Sequence, residues 1–77
     1  MIKKIPVALA ARMMGKKPTF IYIGLQRQIL PFGHAVKMGD GRTAKFSYYI
    51  SPRLFIDYTG FSEDDIVEAA EAGGFVI

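Results

Sequence analysis

Apolar residues in the first third of the chain recur at helical spacing. Val7, Ala11 and Met14 fall at i, i+4 and i+7 behind Pro6, which predicts a first helix over residues 6–14 with Gly15 as its stop. Gly15-Lys16-Lys17-Pro18 is a tight connection: its glycine permits a left-handed cap and its proline suits the first turn of a new helix. The second helix is expected from Pro18 or Thr19 to Gln28, with Ile21, Gly24, Leu25 and Gln28 on one side and Thr19, Tyr22 and Gln26 on another. Gly24 is unfavourable inside a helix by about 1 kcal/mol relative to alanine, so close approach of another backbone is expected there.

Pro31 prevents any continuation of that helix, and beyond Gly33 the period changes from helical to alternating. Residues 34–38 set Val36 and Met38 opposite Ala35 and Lys37, and residues 45–50 set Phe46, Tyr48 and Ile50 opposite Lys45, Ser47 and Tyr49. Gly39-Asp40-Gly41 between them is a turn signal, so a two-stranded hairpin is predicted with Arg42 at its tip, flanked by Lys37 and Lys45. Ser51-Pro52 opens a short third helix whose apolar stripe is Leu54, Phe55 and Tyr58 and whose end is Gly60. Ser62 followed by Glu63, Asp64 and Asp65 opens a fourth, with Ile66, Val67 and Ala70 inward and Gly73 at its close. Phe75, Val76 and Ile77 form an apolar tail that either packs on the core or meets a partner.

The predicted class is therefore α+β and mainly helical: a winged helix-turn-helix unit over residues 1–60 and an additional acidic C-terminal helix with its tail over residues 61–77, in one compact body. A chain of 77 residues with 51% apolar content can fold, but as one small core without an internal cleft. It contains no internal repeat and no linker. The absence of cysteine excludes a disulfide framework or a thiolate zinc site. No stretch reaches the roughly 20 apolar residues of a bilayer span, and residues 1–17 lack a signal-peptide apolar run, so a cytoplasmic location without membrane contact is expected.

Charge changes the picture most. Residues 1–53 carry ten cations and a single acid, Asp40, for a net charge of +9; residues 54–77 carry six acids and no cation, for a net charge of −6. Clustered Lys and Arg release condensed counterions from a polyanion, so the basic part is expected to meet nucleic acid and the acidic part to face away.

Helix, tight turn, helix and basic hairpin is the order of a winged-helix reader of double-stranded DNA, in which the second helix enters the major groove and the hairpin reaches adjacent backbone or minor groove. The outward positions of that helix are Thr19, Tyr22 and Gln26 with Phe20 and Ile23 beside them; Gln can bond adenine in bidentate fashion, and Thr and Tyr can touch phosphates or base edges. Lys16, Lys17 and Arg27 are placed to meet flanking phosphates, and Lys37, Arg42 and Lys45 to do so from the wing. Lys3 and Lys4 read as solvated surface charges. The alternative function is a protein-interaction adaptor using the acidic helix and the apolar tail.

No catalytic set assembles, so no enzyme activity and no cofactor are expected. His34 is the only histidine, which leaves no metal site built on imidazole or thiolate. Glu63, Asp64, Asp65, Glu68 and Glu71 read as charge complementing a helix dipole. Tyr48 and Tyr49 read as one core and one surface residue, and Gly39 and Gly41 lack the following helix that a phosphate-cradling loop requires.

The segments IGLQRQILPFGHAVK and YYISPRLFIDYTG, at residues 23–37 and 48–60, resemble the small excisionase-like, phage-associated regulators, which share the winged helix-turn-helix unit of MerR-type activators. The resemblance extends over about residues 5 to 60. It implies DNA binding, either by an accessory factor that bends attachment sites during phage excision and DNA recombination or by a transcription regulator, with a recombinase or a second copy of the chain as a further partner. The family's recognition-helix positions fall on Thr19, Phe20, Tyr22 and Ile23. Two departures matter: Tyr22 stands where many relatives have arginine, which weakens guanine readout, and the acidic fourth helix lies outside the family's minimal unit.

Overall fold

The computed structural model describes residues 2–39 and 45–77. Arg42 and the rest of the expected hairpin tip at residues 40–44 lie outside the described residues. Among the described residues the chain forms α1 (Val7–Met14), α2 (Pro18–Gln26), β1 (Gly33–Met38), β2 (Lys45–Ile50), α3 (Pro52–Thr59) and α4 (Glu63–Gly73). This α+β arrangement, with an antiparallel hairpin between two helical pairs, is compatible with a winged-helix layout.

Local chemistry sets most boundaries. Gly15 ends α1 at φ +69°, its amide returning to Ala11 and Arg12, as the Gly-Lys-Lys-Pro connection predicts. Ser51 caps α3, its hydroxyl accepting from the Leu54 amide. Ser62 and Asp65 form a reciprocal capping box at α4, the Asp65 carboxylate accepting from the Ser62 amide and the Ser62 hydroxyl from the Asp65 amide.

α2 stops two residues earlier than its apolar period suggests. Gln28 adopts φ +58°, its amide donates to Leu25 and the Ile29 amide donates to Gly24. This is a Schellman closure with glutamine at the left-handed position that glycine usually fills. The turn folds Leu30 back over α2, and a Cβ on Gly24 would collide with the Leu30 side chain. The close approach expected at Gly24 is real, but the neighbour is a side chain rather than a backbone.

β1 begins at Gly33, one residue before the alternation does, and pairs with β2 in the register Gly33↔Ile50, Ala35↔Tyr48 and Lys37↔Phe46. Residues directly opposite share a face, so these six line one side of the hairpin, while His34, Val36, Met38, Lys45, Ser47 and Tyr49 line the other. A Cβ on Gly33 would strike the Tyr49 carbonyl oxygen. The Ser51 amide donates to the Phe32 carbonyl at 2.8 Å, which ties the hairpin base to the start of α3.

The core contains Ile5, Leu9, Ile21, Leu25, Leu30, Phe32, Ile50, Phe55, Ile66 and Ala70, drawn from every helix and from β2. Phe55 meets Phe32 edge-on, with centroids 5.2 Å apart. Among the described residues no polar or charged side chain is buried.

Two predicted stripes are rephased. α1 buries Leu9, Ala10 and Ala11, while Val7 and Met14 are only partly covered. Its sequence is apolar at every position but Arg12, so periodicity alone cannot fix its rotation. In α3 only Phe55 is buried, whereas Leu54 and Tyr58 are 47% and 51% exposed.

The tail packs inward. Phe75 and Ile77 lie half-buried against the core, the Phe75 amide donates to Ala70, and the Lys3 amide donates to the Ile77 carbonyl. Val76 alone projects, at 89% exposure. No described helix is long and apolar enough to cross a membrane.

Candidate nucleic-acid interface

α2 turns Ile21, Gly24 and Leu25 into the core, and its helical period therefore presents Thr19, Phe20, Tyr22, Ile23 and Gln26 to solvent. Lys16, Lys17 and Arg27, which flank the helix, are also exposed. All the described residues assigned to the interface from the sequence are thus accessible, including Lys37 and Lys45 on the hairpin.

Tyr48 of β2 joins helix and hairpin. Its ring lies 4.6 Å from that of Tyr22, tilted by 54°, and its hydroxyl accepts a hydrogen bond from the Gln26 Nε2. Phe46 extends the aromatic row, 6.1 Å from Tyr48. Tyr22 and Gln26 occur four residues apart, so both reach one strand residue from the same helix flank. Side-chain contacts hold α2 and the hairpin together along this edge.

The register separates the two hairpin lysines. Lys37 lies opposite Phe46 and shares the Tyr48 face; Lys45 lies opposite Met38 on the other face. The hairpin therefore carries positive charge on both sides, and of these two only Lys37 is on the α2 side.

The helix dipoles make a second distinction. α4 has Glu63, Asp64 and Asp65 in its first turn, where negative charge offsets the partial positive charge of the helix start. α2 has no acid in its first turn, its N-cap Lys17 makes no side-chain cap bond, and Lys16 precedes it. Positive side chains there add to the dipole, which weakens the helix and raises the positive potential at its start. Lys16 is partly offset by a cation–π contact, its Nζ standing 5.4 Å from the Phe20 centroid.

Tyr48 was not singled out for this site from the sequence. Alternation does place it on the Ile50 face, as the core member of the tyrosine pair, but its tertiary partners on α2 have no local signature. A shallow depression lined by Phe20, Ile23, Gly24, Ile29 and Leu30 was also missed. It arises because the Gln28 turn brings Ile29 and Leu30 back beside α2.

His34 stands at the hairpin base with its ring 5.5 Å from Tyr49. Among the described residues no group of three His, Cys, Asp or Glu side chains converges as a metal site. No protein-family model, curated protein or solved structure matches the chain.

Proposed function

We propose that this chain binds double-stranded DNA as a winged helix-turn-helix protein, with α2 in the major groove and the hairpin as a wing on adjacent backbone or minor groove. In this reading it serves as an excisionase-like accessory factor or a small transcription regulator and has no catalytic activity of its own. The observation that carries the proposal is the solvent face of α2. It is free of acids, fronted by Lys16 and Lys17 against the preference of its own dipole, and braced on the hairpin through Tyr22, Gln26 and Tyr48. Folding alone would favour acids or a polar cap at residues 16–17, as at α4, so the lysines are explained by an anionic partner.

The charge division supports the same orientation, with net +9 over residues 1–53 and −6 over residues 54–77. An adaptor role for the tail has less to work with, because Phe75 and Ile77 already pack on the core. Fluorescence anisotropy with a random duplex at two salt concentrations tests the reading. Binding at low salt that weakens steeply with added salt is expected, each phosphate contact contributing about 0.9 to the slope of log affinity against log salt. Absence of binding at low salt would refute it.

A further inference from the structure

Resting on the DNA-binding reading, we infer that α2 selects A·T base pairs, Gln26 taking the adenine edge and Ile23, aided by Phe20 and Thr19, taking thymine methyl groups.

Gln26 carries the hydrogen-bonding half. Its amide has two N–H donors and one carbonyl acceptor, and one donor is committed to the Tyr48 hydroxyl. One N–H and the Oε1 remain. Adenine presents one acceptor, N7, and one donor, N6–H, in the major groove, which matches that remainder. Guanine presents two acceptors, N7 and O6, and would need both amide donors at once. The Tyr48 bond thus orients Gln26 and also removes the donor that guanine would require. No Arg or Lys lies within α2 between Pro18 and Gln26, so the body of the helix offers no bidentate guanine reader.

Ile23 and Phe20 carry the apolar half. They are 43% and 44% exposed beside Gly24, Ile29 and Leu30, a hydrocarbon surface next to the Gln26 line. The thymine C5-methyl is the apolar group presented on the major-groove edge of the base pairs, and it belongs to the partner of the base that suits Gln26. Ile23 and Gln26 are three residues apart, about 4.5 Å along a helix axis and on the order of one base step. Thr19, one turn before Ile23, adds a further methyl and a hydroxyl.

Charge decides the occupant of this face. Lys16, Lys17 and Arg27 bound it, and Asp40 is the only acid among the first 53 residues. An apolar strip framed by cations fits a polyanion that displays methyl groups.

The test measures binding of the full chain to four short duplexes of equal length: mixed A·T, the same with deoxyuridine for thymidine, the same with 7-deazaadenine for adenine, and G·C. The A·T duplex should bind at least about tenfold tighter than G·C. Deoxyuridine should weaken binding about fourfold for each methyl contacted, the value of one buried methyl-sized group. Ile23→Ala should sharply reduce the deoxyuridine penalty, leaving only what Phe20 and Thr19 contribute, and keep that of 7-deazaadenine, whereas Gln26→Ala should abolish the 7-deazaadenine penalty and keep that of deoxyuridine. Both side chains are exposed, and thermal melting of each variant verifies the fold. Equal affinity for all four duplexes would overturn the base assignment and leave DNA binding standing. Failure to bind any duplex at low salt would overturn both, and a dimer lost on Ile23→Ala would then give the apolar strip to a second copy of the chain.

Discussion

Replacing Lys17 by Asp should stabilise the protein and, on the proposed function, weaken DNA binding in a single change. Lys17 occupies the N-cap of α2 at φ −79° and ψ 150°, the extended geometry of a capping residue, yet no side chain caps the helix. The Phe20 amide already donates to the Lys17 carbonyl at 3.0 Å, so an aspartate gains chiefly the Thr19 amide. That places the cap near the low end of its range, about 0.5–1 kcal/mol. Exchanging a cation for an anion at the positive end of the dipole adds about 0.3–1 kcal/mol at low ionic strength. The sum is about 1–2 kcal/mol, and a domain of this size gains about 4–8 °C in Tm for each kcal/mol. In the DNA-binding reading the same change removes a phosphate contact, lowering the salt slope by about 0.9 and low-salt affinity by about tenfold. Calorimetry and anisotropy titration on the purified variant read both effects, and Lys17→Gln, which loses the cation without bringing a favoured capping side chain, separates them by weakening binding with little gain in Tm. A Tm that fails to rise would refute the capping argument, and unchanged affinity would remove the start of α2 from the interface.

Other perturbations test the scaffold beneath the site. Gln28→Gly should raise stability by about 0.5–1 kcal/mol, read as a higher urea midpoint, because relief of the left-handed strain of about 1–2 kcal/mol exceeds the added freedom of the unfolded chain; a drop in the midpoint would contradict the Schellman assignment. Gly33→Ala should cost about 2–3 kcal/mol in the same assay, since the new methyl meets the Tyr49 carbonyl, which belongs to a paired strand and has little room to yield. Tyr48→Phe keeps the ring against Tyr22 but deletes the Gln26 bond, so stability should change by less than about 1 kcal/mol, while the preference for A·T over G·C duplex falls. A preference unaltered by Tyr48→Phe would dissociate Gln26 orientation from base choice.

Element order and most ends were legible because short-range chemistry writes them. Gly15, Ser51-Pro52, Gly60 and the Ser62/Asp65 box act within one helical turn of their positions, and the hairpin follows from alternation on both sides of a glycine turn. What was not legible depends on tertiary partners. The rotation of α1 is chosen by neighbours rather than by its near-uniform apolar sequence, and in α3 only Phe55 turns fully into the core, Leu54 staying exposed and Tyr58 meeting Phe32 edge-on, at 5.3 Å between centroids, while half-open to solvent. The end of α2 was misplaced because glutamine rarely takes the left-handed conformation that glycine advertises. At the candidate interface, the exposure of Thr19, Tyr22 and Gln26 followed from period alone. The bracing of Tyr22 and Gln26 by Tyr48 joins residues 22 or more apart in sequence, a distance at which no local pattern speaks.

Mapping backbone amide shifts of isotopically labelled protein on addition of duplex DNA addresses the orientation itself. The largest changes should fall on residues 16–27 and on the hairpin residues around Lys37, with α4 and the tail unmoved. Shifts concentrated in Glu63–Gly73 and Phe75, with α2 silent, would reverse the assignment of the two faces.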